Sequence, residues 1–386
     1  MPAKPHSWGS PPWAVNFRPA KRSIPASVDF AIVGGGFSGL SAAAWLRRLA
    51  PAKSVLLLER ATLGDGASGR TGGVALAGAA ADDLPSLGDV LRSYKRIFRE
   101  LKINAELSLP GAFELGRTGG IRKSPIHWND SGDLRAVKKV PGGTVNPGKV
   151  VAGLARAAQV AGARIVEGAE VLAMNAAPSR RNGDASAVQL KVRLTRRGKS
   201  STKLIRARRV LLCTNALSLD LAALDTVTQA KLTLALATAP LTRAQLQSLG
   251  LASRKPFYTV DLPYLWGRLM QNNAAIFGAG LVHAPAERDL HKIDIRMGEA
   301  AQRLAWLESR VRGLHPSLNQ VRITHRWGGP ILLTEGARPV FRTHPQLPQV
   351  TILAGFNGHG VALSVHLGHW AAQHLAAGRP LPGWNA

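Results

Sequence analysis

Cysteine, acidic residues and long apolar runs are all scarce in this 386-residue sequence. The single cysteine, Cys213, excludes an internal disulfide and a metal site made of cysteines alone, and no Cys/His cluster has zinc spacing. No run of about 18 uncharged apolar residues occurs, which argues against a membrane span. The N-terminal residues lack the apolar stretch of a secretory signal, so we expect a cytoplasmic protein.

The shortage of acids leaves 50 Lys and Arg against 23 Asp and Glu, a formal net charge of +27. A surplus this large attracts nucleic acid, anionic lipid or acidic substrates. Its densest part, residues 191–209, alternates in a way that predicts two strands around a turn at Arg197, Gly198 and Lys199. Outward-facing charges on a hairpin explain this run. Aromatic residues, which bind single-stranded nucleic acid, are absent from it, so nucleic acid is not the favoured partner.

A glycine fingerprint lies near the start of the chain. The segment VDFAIV predicts a buried strand, GGGFSG a tight turn, LSAAAWLRRLA a helix and SVLLLE a second strand, which together form a βαβ unit. Gly34 permits the turn, Gly36 lets the backbone approach a pyrophosphate, and Gly39 lets helix and strand pack closely. Glu59 ends the second strand 20 residues after Gly39, the right reach for a ribose diol. The unit therefore predicts a dinucleotide site.

Three later segments carry a resemblance to a known family. They are GDGASGRTGG at residues 64–73, HRWGGPILLTEGARPVF at 325–341 and GFNGHGVALSVHLGHWAAQHLAAG at 355–378. Together with the fingerprint, these motifs are similar to those of the D-amino-acid-oxidase-like (DAO) FAD-dependent oxidoreductases, nearest the glycine-oxidase and gamma-glutamylputrescine-oxidase branch. The resemblance covers the chain from about residue 25 to residue 380.

The resemblance implies FAD as the cofactor, bound non-covalently because the matching loops offer no His or Cys for attachment. Backbone amides at the helix start behind Gly358 would stabilise the negative charge of the reduced flavin. The predicted FAD contacts are Gly34, Gly36, Phe37, Ser38, Gly39, Glu59, Arg60, Ser68, Gly69, Arg70, Thr71, Gly72, Gly73, Val171, Thr214, Asn215, Trp327, Gly328, Gly355, Asn357, Gly358, His359, Gly360 and Val361.

The predicted fold class is α/β. It combines an FAD-binding Rossmann-like domain of the glutathione-reductase type with a substrate domain built on an antiparallel sheet that roofs the flavin. The N-terminal residues are rich in proline and carry Trp8, Trp13 and Phe17, which predicts an extended arm docked through its aromatic side chains. The expected division is 1–26 for the arm, 27–80, 146–226 and 326–386 for the FAD-binding domain, and 81–145 and 227–325 for the substrate domain.

The resemblance also implies a reaction, hydride transfer from a carbon that bears nitrogen to flavin N5, giving an imine that water hydrolyses. The substrate is then a small amine or amino acid, and O2 or a carrier protein reoxidises the flavin. Arg268 is the candidate for binding a substrate carboxylate. Strand alternation places Tyr264 and Trp266 on the same face as Arg268, where they would wall the pocket. His359, in the flavin-facing turn, is the third catalytic candidate.

Other readings of these residues and of the whole chain remain open. His366 and His369, three apart on the last helix, are interpreted as helix surface or as contacts between helices rather than as metal ligands. A related FAD module acts on a modified tRNA base, and the charge of +27 suits that partner, although we see no appended RNA-binding domain. A flavin-binding tailoring protein without turnover is a further alternative.

Overall fold

The computed structural model describes residues 7–81, 84–178, 186–196, 198–284 and 286–385. The first six residues of the predicted arm and Arg197 of the predicted basic turn lie outside this described part.

The strands are β1 (Ser27–Val33), β2 (Val55–Leu58), β3 (Val74–Leu76), β4 (Ala112–Gly116), β5 (His127–Asn129), β6 (Asp133–Val140), β7 (Gly142–Thr144), β8 (Arg164–Val166), β9 (Ala169–Ala176), β10 (Val188–Arg196), β11 (Lys199–Leu212), β12 (Thr228–Pro240), β13 (Phe257–Thr259), β14 (Trp266–Leu269), β15 (Ala274–His283), β16 (Ile323–Thr334), β17 (Val340–Thr343) and β18 (Val350–Ala354). The α-helices are α1 (Phe37–Leu49), α2 (Ala67–Arg70), α3 (Val90–Glu100), α4 (Pro147–Val160), α5 (Arg243–Ser248), α6 (Gly298–Gly313) and α7 (Gly360–Ala377). Short 3-10 helices span Asp220–Ala222, Glu287–Lys292, Pro316–Leu318, Glu335–Ala337 and Gly383–Asn385.

The first sheet has the strand order β17-β18-β11-β1-β2-β8, and all of these strands except β17 run parallel. Its strands are apolar on both faces because both faces are covered. Side chains such as Ile32 and Leu57 pack in one core with α1, α4 and α7, whereas Val33 and Leu58 share the other core with the meander β9-β10-β11. This arrangement confirms the predicted Rossmann-like domain.

The second sheet has the order β16-β12-β15-β14-β13-β4-β6-β5, with only the β13–β4 pair parallel. One face carries an aromatic core in which Phe257 lies 4.9 Å from Trp128 and 5.8 Å from Phe277 between ring centroids. Helix α6 contributes Leu304 and other apolar residues to this core. The opposite face is therefore the one left for a ligand.

Two segments belong to different layers from those that the sequence predicted. The boundary expected at residue 326 falls inside β16, whose whole length pairs with β12 in the second sheet. Helix α3, placed in the substrate segment 81–145, packs on α7 and shares the core of the first domain. The local sequence pattern could not show either placement, because it does not specify which of two sheets an apolar strand joins or an amphipathic helix packs against.

The contacts between helices that were predicted for His366 and His369 are present. His366 Nδ1 lies 2.8 Å from Ser93 Oγ and its Nε2 lies 3.0 Å from the Leu87 carbonyl oxygen. The His369 ring packs on Trp45, with the ring centroids 4.3 Å apart. Both side chains are buried between α7 and its neighbours.

Within the described residues, no helix is both long and apolar enough to cross a membrane.

The described part of the arm is extended and docked by its tryptophans, as predicted. Trp8 Nε1 donates to the Leu290 carbonyl at 2.9 Å, and Trp13 Nε1 donates to the Gly69 carbonyl at 2.8 Å. Gly9 forms a β-bridge with Trp327 of the second sheet. The arm thus contacts elements of both domains next to the glycine loop, which we define as residues 64–73.

Because His366 and His369 are buried, we predict that the folded protein loses stability in acid. Burial lowers the pKa of His366 and of His369 from 6.5 to about 4. The unfolded chain therefore binds these protons at higher pH than the folded chain does, and the free energy of unfolding decreases as pH falls through this interval. We expect the melting temperature, followed by circular dichroism, to fall across it in the wild type and to fall less in His366→Asn.

The exposed residue His291 provides the matched control, and His291→Asn should keep the wild-type pH dependence. Identical pH slopes for all three proteins would contradict the assignment.

Candidate active site

A cavity of about 1530 Å³ lies between the two sheets. Its floor is formed by the carboxyl ends of the parallel strands, where Val33, Leu58 and Cys213 reach the surface of the cavity. Its roof is one face of the second sheet, including Tyr258 and Trp266. Ligand crevices in open α/β sheets occur at this edge. The volume exceeds the roughly 300–1,000 Å³ of ordinary small-molecule pockets, which suits a dinucleotide together with a substrate.

The fingerprint glycines lie at the end of β1 and the start of α1. Gly34 has φ +109°, a conformation that side-chain-bearing residues rarely adopt. A Cβ at Gly36 would lie 2.8 Å from Ser68 Oγ, and one at Gly39 would overlap the carbonyl oxygen of Gly34. The first turn of α1 contains no acidic residue, so its positive end remains available to an anion.

Glu59 follows β2, and backbone amides donate a hydrogen bond to each oxygen of its carboxylate. Its Oε2 accepts from the Gly35 amide at 2.7 Å, and its Oε1 accepts from the Ala61 amide at 2.9 Å. Burial raises the pKa of this carboxyl, while the two amide hydrogen bonds act in the opposite direction. Each carboxylate oxygen retains a free lone pair, and Glu59 lines the cavity. The side chain is therefore positioned to accept hydrogen bonds from a ribose diol.

A second helix start opens into the same cavity. Helix α7 begins at Gly360 after Asn357 and Gly358, which have φ of +50° and +83°. The Asn357 side chain stabilises this turn: its Oδ1 accepts from the Thr334 amide and its Nδ2 donates to the Gly355 carbonyl, both at 2.8 Å. No acid lies in the first turn of α7. Gly36 and Gly358, far apart in sequence, thus line one cavity.

Most of the predicted FAD contacts line the cavity, and five glycines do not. The residues at the wall are Gly34, Gly36, Phe37, Ser38, Glu59, Arg60, Ser68, Arg70, Thr71, Gly72, Val171, Thr214, Asn215, Trp327, Asn357, Gly358, His359, Gly360 and Val361. Those behind it are Gly39, Gly69, Gly73, Gly328 and Gly355. A Cβ at Gly69 would overlap the Gly64 carbonyl and one at Gly39 the Gly34 carbonyl, so these two glycines allow close backbone packing behind the wall.

Arg70 of the glycine loop is buried and anchored by carbonyl oxygens. Its Nε donates to the Asp65 carbonyl and its Nη1 to the Gly9 carbonyl, both at 2.9 Å. Burial lowers the pKa of this guanidinium. Trp327 Nε1 donates to the Arg70 carbonyl at 2.8 Å. The arm, the loop and the second sheet therefore fix one another at this end of the cavity.

A row of residues that runs across six strands crosses the roof of the cavity, and we call it the transverse row. Its members, opposite one another in the sheet, are Trp327, Ala235, Gly278, Trp266, Tyr258 and Glu114. Residues directly opposite across paired strands project from the same face. The Trp266 ring fills the space where a Cβ of Gly278 or Gly72 would lie, so the row touches the glycine loop.

The structure places two of the three catalytic candidates, Tyr264 and Arg268, differently from the prediction. Tyr264 precedes β14, so it does not share the strand with Trp266 and Arg268, and its side chain is exposed at the rim. Arg268 is buried outside the cavity, where its Nε donates to the Gly72 carbonyl and its guanidinium lies 5.6 Å from the Trp13 ring. The arm covers the row to which Arg268 belongs. His359, the third candidate, lines the cavity as predicted.

The sequence analysis missed Glu114 and Tyr258. Glu114 lies on β4, which has five residues, and Tyr258 lies on β13, which has three. The two strands are paired although 144 positions separate the two residues. Tyr258 OH donates to Glu114 Oε1 at 2.8 Å. No signal in either short strand indicates this pairing, because it depends on the register of β13 with β4.

The two domains, the glycine fingerprint and the shared cavity define a dinucleotide-dependent oxidoreductase of the flavoprotein class. The family model described as FAD dependent oxidoreductase (DAO) matches residues 29–374. The chain belongs to this family. Its cofactor is FAD, as the resemblance implied.

The chain is similar to several known proteins over almost its whole length. It is 25% identical over 407 residues to the Rhizobium meliloti (strain 1021) protein named Probable oxidoreductase OrdL, covering 94% of this chain and 86% of that protein. Glycine oxidase from Bacillus cereus ATCC 14579 superposes with a TM-score of 0.67 and 16% identity, covering 92% and 99% of the two chains. L-proline dehydrogenase from P. horikoshii gives 0.64 and 17%, covering 92% and 95%.

The described residues fit FAD. Gly36 lines the cavity at the start of α1, where the absence of a side chain lets a pyrophosphate approach the backbone, and Glu59 presents acceptor lone pairs for a ribose. The start of α7 at Gly360 provides amides for the flavin end. The sole cysteine, Cys213, is buried, and burial raises its pKa to about 12, so it stays a thiol. These features support a non-covalently held cofactor.

A pair of glycine substitutions tests the pyrophosphate site. Gly36→Ala places a methyl group 2.8 Å from Ser68 Oγ and beneath the expected phosphates. We expect the dissociation constant for FAD to rise at least about tenfold, since about 1.4 kcal/mol of lost contact corresponds to that factor. The measurement is titration of the apoprotein with FAD, followed by flavin fluorescence.

Gly66→Ala is the matched control, because it lines the same cavity but its Cβ would lie 3.7 Å from the nearest atom, Leu217 Cδ1. Equal FAD affinity in both variants would show that Gly36 does not approach the cofactor.

Proposed function

We propose that this chain oxidises the C–N bond of an amine or amino acid. The observation that carries the proposal is the position of the transverse row, which faces the two helix starts across one cavity. A substrate held under the row would lie between the sheet and the cofactor. The relatives named above as glycine oxidase and L-proline dehydrogenase act on substrates of this type according to their names, which supports the same class here.

The proposed reaction is a two-electron oxidation of the substrate. FAD, when bound, would supply the two-electron acceptor for a hydride from the carbon that bears nitrogen. The nitrogen lone pair forms the C=N bond, and one N–H proton leaves to solvent. Water then adds to the imine and releases the amine fragment and a carbonyl product. O2 or a carrier protein reoxidises the flavin.

The side chains around the cavity favour a neutral amine at the reacting end. An ammonium group has no lone pair to form the C=N bond, so it must lose a proton first, and a partly apolar wall promotes that loss by desolvation. Trp266 and Ala235 supply such a wall. These side chains also exclude water from the reacting carbon.

His359 contributes a neutral ring at the start of α7. Its Nδ1 lies 3.2 Å from the Asn357 carbonyl and donates to it, which leaves a lone pair on Nε2. Burial lowers its pKa below 6.5, so the ring stays uncharged at neutral pH. A neutral ring does not repel a cationic substrate that enters the cavity. We propose that His359 polarises the flavin or the substrate through Nε2.

Anaerobic reduction tests the proposal directly. We expect one or more compounds from a panel of amines and amino acids to bleach the oxidised-flavin absorbance of the purified holoenzyme. Matched alcohols and hydroxy acids, which lack nitrogen, should leave it unchanged. Admission of air should restore the colour, with hydrogen peroxide if O2 is the acceptor. A protein that dithionite reduces but no nitrogen compound reduces would refute the proposal.

A further inference from the structure

Glu114 is the only carboxylate that the second sheet contributes to the cavity lining among the described residues. It lies at the end of the transverse row, and its hydrogen-bond partner there is Tyr258 OH, 2.8 Å from Oε1. The chain has 50 Lys and Arg for 23 Asp and Glu, and acids such as Asp130 and Glu308 form ion pairs. Within the described residues, Glu114 forms none.

Tyr258 orients the Glu114 carboxylate, and Lys138, its exposed cross-strand neighbour on β6, forms no ion pair with it among the described residues. The tyrosine hydroxyl donates one hydrogen bond, but the second oxygen of Glu114 has no protein donor in the described part of the chain. Burial and the neighbouring carboxylate raise the pKa of Tyr258, so its hydroxyl remains a donor at every physiological pH. A carboxylate with one neutral donor and open lone pairs is complementary to a cationic ligand group.

Aromatic residues follow this carboxylate along the transverse row and at the rim of the cavity. Trp266 is next to Tyr258 in the transverse row, and Tyr264 lines the rim of the cavity together with Trp306, whose ring already lies 5.2 Å from the Arg310 guanidinium. Aromatic faces attract ammonium groups and also pack against methylene chains. This side of the cavity therefore combines the negative charge of Glu114 with the rings of Tyr258 and Trp266, which is the chemistry that recognises an organic cation.

The arginines near the roof are not free to bind a substrate carboxylate. Arg268 is buried outside the cavity and donates to backbone carbonyls of Gly72 and Leu269. Arg303, at the rim, pairs with Glu299 at 2.6 Å. This part of the cavity thus favours a substrate with a second positive group over one with a carboxylate.

We propose that Glu114 and Tyr258 bind the distal ammonium group of a diamine whose other amino group is oxidised. The inference rests on the proposed function for the reacting end of the substrate. Glu114 lies two strands from Trp266, which touches the glycine loop, and two strand spacings are about 10 Å. A linear diamine spans that distance, with Trp266 packed against its methylene groups.

Ligands of one length and different end groups test this subsite. We would measure the dissociation constants of 1,6-diaminohexane, 1-aminohexane and 6-aminohexanoate from the rate of anaerobic flavin reduction at varied concentration. The wild type should bind the diamine most tightly and the acid least. In Glu114→Gln, binding of the diamine should weaken about 10- to 100-fold, the effect of a lost charged hydrogen bond. Binding of the monoamine should change less than about twofold.

Three further variants separate a specificity role from a structural one. Tyr258→Phe keeps the ring and removes the donor to Glu114, so diamine binding should weaken by less than in Glu114→Gln. Glu114→Lys should reverse the ligand order and favour 6-aminohexanoate. Glu100→Gln, in an exposed ion pair on α3, is the control and should match the wild type. Melting temperatures and flavin spectra would establish that each variant is folded.

A second measurement distinguishes failure of the subsite from failure of the proposed function. Calorimetric titration of the oxidised holoenzyme with 1,6-diaminohexane reports binding even where no flavin is reduced. Diamine binding that Glu114→Gln abolishes, without any reduction, would support the subsite and refute amine oxidation. Reduction by amines with equal dissociation constants in the wild type and Glu114→Gln would overturn the subsite and retain the function. No diamine binding by the wild type would also overturn the subsite.

Discussion

The close packing of α1 against α7 is the contact on which the site depends. Gly368 of α7 has no room for a Cβ, because that atom would overlap the Ser38 carbonyl oxygen of α1. The buried Ser41 hydroxyl donates to the Val365 carbonyl at 2.8 Å and fixes the same contact. This approach brings the starts of helices from opposite ends of the chain to one cavity. Positive helix ends concentrated there suit the anionic groups of a dinucleotide.

Two rows of residues on the cavity-facing side of the second sheet have different roles: one holds the structure together and the other lines the cavity. Arg268 and Trp266 lie two residues apart on the same strand, yet only Trp266 lines the cavity. The arm and the glycine loop cover the Arg268 row: Trp13 packs beside the guanidinium, and the Gly72 carbonyl accepts from it. The neighbouring transverse row contacts the arm through Trp327 and the loop through Trp266, and most of its members line the cavity. A shift of two residues along the same face therefore separates a structural anchor from a wall of the site.

Several features were predictable because they depend on neighbours in the chain. The βαβ unit follows from apolar strands around glycines whose backbone requirements are local, as the φ of Gly34 illustrates. Glu59 was found by its fixed distance from Gly39. The helix start at Gly360 and the docked arm were recognised from motif and composition. Family resemblance, confirmed over residues 29–374, connected these separate pieces to one cofactor.

The sequence by itself determined the first βαβ unit with its dinucleotide site and the residues of both helix starts, because turn chemistry and hydrophobic period act over a few residues, and family resemblance identified the dinucleotide as FAD. Only the tertiary structure decided that β16 joins the second sheet, that α3 covers the first, and that Arg268 lies beneath Trp13. It alone placed Glu114 beside Tyr258. Those relations come from strand register and long-range packing, which no local pattern along the chain encodes.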